Sequence, residues 1–218
     1  MRRFFLILLA VLISLSAQTQ DENIFHDRSF WKAKPSVELI KQKIAEGHDP
    51  CQRNEFAFDA VSYGIIDSAP LESIAYLLGL EGNPVTKPTH GSITYLLWAA
   101  YKGNLPLMDL LLEKGSDIHM ATSRGTNILA MAAIGGVEDL SVYDKILTGG
   151  VDVHSTNSSG SNALLLLASA GVKDESVFQH LVKKGLAWDS RDEADNGLFN
   201  YAARGGNIPA MRMCVAKG

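Results

Sequence analysis

The amino-acid sequence predicts an all-α solenoid of about six helix-turn-helix units, and three observations carry that prediction. Glycines form a ladder at Gly47, Gly82, Gly115, Gly150, Gly185 and Gly218, spaced 35, 33, 35, 35 and 33 residues apart. Before each rung runs an apolar stripe of helical period, and eleven residues before most rungs stands a helix-capping residue. A repeat of this length is one supersecondary unit that buries its apolar face only against its neighbours, so copies stack around a continuous, elongated core.

The stripe is in register from copy to copy. Three, four, seven and eight residues before Gly115 stand Leu112, Leu111, Met108 and Leu107, and before Gly150 stand Leu147, Ile146, Tyr143 and Val142. The same offsets give Val182, Leu181, Phe178 and Val177, then Val215, Cys214, Met211 and Ala210. These positions share one face of a 3.6-residue helix. Ser36, Asn104, Asp139, Asp174 and Asn207 fall eleven before their rungs. Each offers a side-chain oxygen to an unpaired N–H of the first helical turn, typically stabilising a helix by about 1 kcal/mol. The glycine then closes the helix in the left-handed conformation. The Gly82 copy departs, with Leu71 at the capping offset. Its cap is expected earlier, near Ser68, with a lengthened helix or an insertion.

Residues 1–18 read as a signal peptide. Arg2 and Arg3 precede an apolar run from Phe4 to Leu15, which Ser16 and Ala17 follow. A positive start, a short apolar core and a small-residue exit describe a secretory signal, and the run is shorter than the roughly 20 residues that span a bilayer. Export to the periplasm or the medium is therefore expected, with no membrane attachment after cleavage. Residues 19–29 read as a linker and 30–218 as the repeat domain. Without Arg2 and Arg3 the chain keeps 18 basic against 24 acidic residues, and no basic stripe suggests a nucleic-acid partner.

Cys51 and Cys214 lie near opposite ends of the predicted stack. Neighbouring helices pack roughly 8–10 Å apart, whereas a disulfide needs Cα atoms within about 7 Å, so no bridge is expected. Cys214 sits on the apolar stripe and is expected to be buried; Cys51 falls in a loop. In the first unit Phe30 and Trp31 begin an apolar patch and Pro35–Ser36 open a helix whose polar Lys41, Gln42 and Glu46 suit a terminal cap. Phe56, Phe58, Ala60 and Val61 supply the first helix of the second unit.

From Thr94 to His119 the sequence TYLLWAAYKGNLPLMDLLLEKGSDIH resembles the ankyrin repeat through Thr94, Leu96, Ala99, Ala100, Gly103, Leu111, Leu112, Gly115, Asp117 and Ile118. The next copy matches through Leu129, Ala132, Ala133, Gly136, Gly150, Asp152 and Val153, and later ones through Leu164, Ala168, Gly171 and Gly185, then Ala202, Ala203 and Gly206. The resemblance covers roughly residues 30 to 218 and makes the predicted fold an ankyrin-type solenoid. The alanines suit an inner helix that must approach its neighbour closely.

The resemblance implies a protein-binding module whose loop fingers and inner helices form a concave groove. The fingers would run from about Ile118 to Gly125, Val153 to Gly160 and Ala187 to Asn196. They bring Met120, Arg124, Trp188 and Arg191 as candidate contacts, while Trp98, Tyr101, Met131, Tyr201 and Arg204 are candidates on the inner helices. Tryptophan, tyrosine and arginine are the types that most often carry interface energy; the alternative for Trp98 and Trp188 is packing between repeats. The expected partner is a protein, the expected state a monomer, and the expected role a non-catalytic scaffold or inhibitor without cofactor or metal.

Two other readings compete. The triplets Asp117-Ile118-His119 and Asp152-Val153-His154 stand one period apart, and stacked Asp/His pairs could hold a metal that activates water in a hydrolase. Repeat spacing of about 10 Å is long for sharing one ion, so a structural loop role is the expectation. The chain lacks a phosphate-binding glycine loop, G-x-S-x-G, H-E-x-x-H and C-x-x-C. A last reading starts from Gly218, a rung where the next finger should begin: further repeats, or the catalytic part of a larger enzyme, would follow it.

Overall fold

The computed structural model describes residues 23–217; the expected signal peptide and the rung Gly218 lie outside them. Among the described residues twelve α-helices stack as six pairs: α1 Arg28–Lys32 with α2 Val37–Ala45, α3 Ala60–Ile66 with α4 Leu71–Leu78, and α5 Tyr95–Tyr101 with α6 Leu105–Glu113. The series continues with α7 Ile128–Ile134 and α8 Leu140–Thr148, α9 Ala163–Ser169 and α10 Glu175–Lys183, and α11 Leu198–Arg204 and α12 Ile208–Lys217. The odd-numbered helices form an inner row and the even-numbered ones an outer row, so the fold is the all-α, ankyrin-type solenoid the sequence predicts. None of the described helices is long and apolar enough to cross a membrane.

The capping residues do what their chemistry allows. The side chains of Ser36, Asn104, Asp139 and Asp174 accept from Leu39, Leu107, Ser141 and Ser176 N–H groups, and Asn207 accepts from Ala210. Asn207 also donates to the carbonyls of Ala168 and Val172 in the preceding pair, so a helix cap doubles as a tie between repeats. The rungs Gly47, Gly82, Gly115, Gly150 and Gly185 all take positive φ, from 88° to 126°.

The core is one continuous band. Leu107, Met108 and Leu111 of α6, Val142, Tyr143 and Ile146 of α8, and Val177, Phe178 and Leu181 of α10 are fully buried against the inner row. Burying a side chain of this size contributes about 1.5–3 kcal/mol. Ala99, Ala100, Ala132, Ala133, Ala168 and Ala202 are fully buried between inner helices, as their small size requires. Ion pairs cross the outer row, from Asp109 to Lys145, from Asp144 to Lys184 and from Glu175 to Lys217, and His180 hydrogen-bonds to Asp144.

Three expectations change. Packed structure begins near Ile24 rather than at residue 30. A 3-10 turn over Ile24–His26 carries the fully buried Phe25, whose carbonyl accepts from the Trp31 indole at 2.9 Å. Phe25, Phe30 and Trp31 thereby close the N-terminal end of the core. In the second unit the cap is Pro70, not Ser68, and α4 is not lengthened. Its buried Ile74 and Leu77 occupy the places of Met108 and Leu111, and the insertion lies after it. Sixteen residues separate Leu78 from Tyr95, where fourteen separate each other outer helix from the next inner one. Finally, Cys214 is only partly buried, because α11 and α12 carry no further pair among the described residues. Phe199 is 44 % exposed there, while its counterparts Leu129 and Leu164 are covered. Neither cysteine is bridged.

Candidate functional site: the groove of fingers and inner helices

Five fingers join outer helices to inner ones, and one local design builds all five. Six residues before each inner helix stands Asn54, Thr89, Thr122, Asn157 or Asp192, whose N–H donates to the carbonyl four residues on, at 2.8 to 3.1 Å. Three residues after each head the chain takes positive φ, at Ala57, Ser92, Gly125, Gly160 and Asp195. In four fingers the head side chain also accepts two backbone N–H groups of its own tip: Phe56 and Phe58 at Asn54, Arg124 and Thr126 at Thr122, Ser159 and Ser161 at Asn157, Ala194 and Asn196 at Asp192. These Asx and hydroxyl turns replace the ladder hydrogen bonds that so short a hairpin lacks. Sequence reasoning missed them, although Asn, Thr or Asp recurring with the repeat spacing is a readable signal.

Three of the fingers are tied to the first turns of their inner helices, the first by the Asn54–Tyr63 hydrogen bond. The Trp98 indole donates to Thr89 Oγ1 at 2.8 Å, and the Tyr201 hydroxyl donates to Asp192 Oδ2 at 2.8 Å, each partner nine residues upstream. Ser161 Oγ lies 2.6 Å from the same Tyr201 oxygen, joining successive fingers. Burial pushes the Asp192 carboxyl upward, but the hydrogen bonds from Asn196, Tyr201 and Ala194 outweigh it and hold the group at about 2. The last finger is therefore built around an ionised carboxylate.

At the N-terminal end of the groove the fingers and inner helices converge on aromatic rings. Phe58 stacks on Tyr63 at 4.9 Å and on His90 at 4.7 Å, lies 5.9 Å from Trp98, and Trp98 meets Tyr101 edge-on at 5.8 Å. Polar contacts fix these rings: Asn54 donates to the Tyr63 hydroxyl at 2.9 Å, and His90 Nδ1 donates to the Phe56 carbonyl at 3.0 Å. Phe56 stands 59 % exposed on its fingertip and Ile134 40 % exposed on α7. Phe56 and Phe58, expected in the first helix of the second unit, stand instead on the finger before α3, while Tyr63 on α3 and His90 on the second finger were missed by reasoning from the repeat pattern.

Beneath this row lies a fully paired polar cluster. Asp59, fully buried at the start of α3, accepts from Ser62 and from the Tyr95 hydroxyl, the latter at 2.6 Å, and pairs with Lys87 at 2.9 Å. Lys87 also donates to the Cys51 carbonyl and to Asn83. Burial, the charge of Asp59 and the hydrogen bond to it push the Tyr95 hydroxyl far above its ordinary range. Lys87 belongs to the longer second finger, so the inserted loop is strapped to the first finger through this ion pair.

A family model described as ankyrin repeats in many copies matches residues 96–143. Over that span the sequence is similar to ankyrin repeats. No curated protein matches it. Among solved structures, a chain of the complex between a predatory endopeptidase from Bdellovibrio bacteriovorus and an immunity protein is similar in fold. It has a TM-score of 0.63 at 15 % identity, over 88 % of this chain and 97 % of that one.

On the ankyrin groove the nine residues singled out from sequence separate into groups. Tyr101 is partly exposed, and Arg204 is exposed and lies over the Tyr201 ring at 5.2 Å. Trp98, Met131 and Tyr201 are 5–8 % exposed and support the groove floor from within. Arg124 and Arg191 are exposed on fingers, Arg191 held by Asp195 of its own loop, and Met120 is 42 % exposed near the base of the third finger. Trp188 turns away from the groove: it stacks on Phe178 of α10 and under Lys217 of α12. The structure therefore does not bring the nine together as one surface.

The ankyrin fingers also explain the two Asp-x-His triplets. Asp117 and Asp152 accept from the backbone N–H of His119 and His154, both at 2.9 Å. The His119 and His154 rings lie against Gly150 and Gly185, the rungs of the following units. The triplets thus shape the loops, and no group of three or more His, Cys, Asp or Glu side chains comes together among the described residues.

Proposed function

We propose that this chain is a non-catalytic binding module, exported to the periplasm or the medium, that holds a partner protein in its groove as a scaffold or inhibitor. The observation that carries the reading is the row Phe58, Tyr63, His90 and Tyr101, whose rings are set by hydrogen bonds and aromatic contacts before any partner arrives, with the exposed Phe56 beside it. Preorganised aromatic side chains gain contact area at small ordering cost, and such residues dominate interface energies. Export rests on the apolar, cleavable character of residues 1–18. The solved chain of similar fold comes from a complex of an endopeptidase with an immunity protein; its place in a protein–protein complex supports a protein as the partner.

The test is capture of the exported fraction of the host on the mature chain, with a Phe56→Ala/Tyr101→Ala variant as control. The expected result is one stoichiometric protein, lost with the variant. Retention of nothing by a folded chain, or equal retention by both, would overturn the reading.

A further inference from the structure

Consecutive fingers are tied to one another at a fixed register, with one exception. The carbonyl two residues past the head accepts from the next finger in three of the four pairs: Phe56 from the His90 ring at 3.0 Å, Arg124 from the Ser158 N–H at 3.1 Å, and Ser159 from the Glu193 N–H at 3.1 Å. The remaining pair is the second finger with the third. There the carbonyl at that place belongs to Gly91, and the N–H in the register of Ser158 and Glu193 belongs to Ser123. Both residues are exposed, and neither group has a hydrogen-bond partner among the described residues.

The packing of the tips shows the same break. A Cβ built on Gly125 would lie 3.5 Å from Ser158 N, and one on Gly160 would lie 2.8 Å from Glu193 N, each against the next finger. One on Gly91 would meet only Ile93 of its own finger within 4 Å. The second finger is bound backwards instead. Lys87 pairs with Asp59 and donates to the Cys51 carbonyl, Arg53 donates to the Pro88 carbonyl, and the head Thr89 spends its hydroxyl on the Ile93 carbonyl and the Trp98 indole. The first two fingers thus form one tied group and the last three another, with a seam between them. The inner helices that follow the two fingers at the seam are α5 and α7, which show the partly exposed Tyr101 and the 40 % exposed Ile134.

Resting on the reading above, we propose that this seam takes an extended segment of the partner protein as an added strand. One carbonyl of the segment accepts from Ser123 N–H and one of its N–H groups donates to the Gly91 carbonyl, restoring through the partner the link that the other finger pairs make directly. Side chains alternate along an extended chain, so an apolar one turns onto Tyr101 and Ile134. Strand addition of this kind draws affinity from main-chain hydrogen bonds and selectivity from the alternate side chains.

The probe is a library of random short peptides displayed on phage and selected on the mature chain; recovered peptides are labelled with fluorescein and titrated by anisotropy. Ser123 is the second residue of the turn that Gly125 N–H closes on the Thr122 carbonyl, a place where proline is favoured. Ser123→Pro therefore removes the N–H and keeps the turn. It should leave the melting temperature near that of the parent and weaken the peptides about two- to tenfold, the range for one net hydrogen bond. Methylating one backbone nitrogen of the peptide should do the same. In the parent chain the Ser123 amide, followed by NMR hydrogen exchange, should become protected when peptide binds, a readout that does not depend on how the variant folds. A Ser123 amide left unprotected in the bound state would overturn the seam inference; if Tyr101→Ala weakens those same peptides, the groove reading stands. Recovery of no specific peptide by the folded chain, or peptides indifferent to both Ser123→Pro and Tyr101→Ala, would overturn both.

Discussion

Gly135 lies against the main chain of Tyr101, so close that a Cβ built on it would overlap the Tyr101 carbonyl oxygen. Gly205 stands in the same relation to Ser169, two units further on. Both cap inner helices in ordinary right-handed conformation, so the glycine is demanded by packing and not by backbone angle. It sets how closely α7 can follow α5.

Gly135→Ala should therefore destabilise the chain by about 1–3 kcal/mol, the range for overpacking a close contact. The register-equivalent Ala170 already carries a methyl group and gives the control: Ala170→Gly should change stability by about 0.5–1 kcal/mol or less. Urea denaturation would measure both. An unshifted midpoint for Gly135→Ala would mean that the inner row yields without cost, and the packing argument would fail.

Lys87→Ala should be among the most damaging single changes. It leaves the fully buried Asp59 with its Ser62 and Tyr95 partners but no cation, and breaking a buried pair from one side typically costs about 3–5 kcal/mol. The pair Lys87→Met/Asp59→Asn should recover most of that loss, since no charge is then left unmatched. Thermal unfolding of the two variants decides it; a double variant no better than Lys87→Ala would locate the damage in the strap itself rather than in the stranded charge.

Asp192 gives the last finger a pH dependence whose sign follows from its lowered carboxyl. The folded group titrates at about 2, below the roughly 3.9 of an unfolded aspartate. Its contribution is complete above the unfolded value and fades as pH falls through the folded one. Asp192→Asn, which keeps an acceptor of the kind Asn157 supplies to its own finger, should flatten the fall in melting temperature between about pH 4 and pH 2. Identical slopes for the variant and the parent would remove Asp192 as the source.

Much of this architecture was legible because a solenoid repeats its instructions. Ser36, Asn104, Asp139, Asp174 and Asn207 could be read as caps from their common distance to a glycine, and each accepts the bond its type allows. The groove was harder to read. Which face of an inner helix reaches water depends on the neighbouring units, so Met131 reads as a surface residue although adjacent helices cover it, and Trp98 reads equally as a contact or as packing between repeats, where Phe58 and Tyr101 cover it. Trp188 occupies the place of Ile118 and Val153, behind the finger, where a tryptophan serves packing. Phe58 was read into an inner helix and His90 escaped notice, because the first two fingers depart from the pattern that made the other units readable.

Trp98 and Tyr101, three residues apart on α5 and in edge-on contact, should separate stability from binding. Trp98 is 8 % exposed and its N–H is spent on Thr89, so Trp98→Ala should cost about 3–5 kcal/mol of stability. Any loss of partner affinity in that variant would follow from a loosened second finger. Tyr101 is partly exposed, and no side-chain hydrogen bond ties its hydroxyl among the described residues. Tyr101→Ala should leave the melting temperature within a few degrees of the parent, corresponding to about 1 kcal/mol or less in a chain of this size, while reducing partner affinity at least about tenfold, as truncating a central aromatic contact does. Calorimetric unfolding and a binding titration on the same two proteins make the comparison. If Trp98→Ala is the milder change for folding and the harsher one for binding, the roles assigned to the two rings are reversed, and the surface that meets the partner lies deeper between the first two fingers.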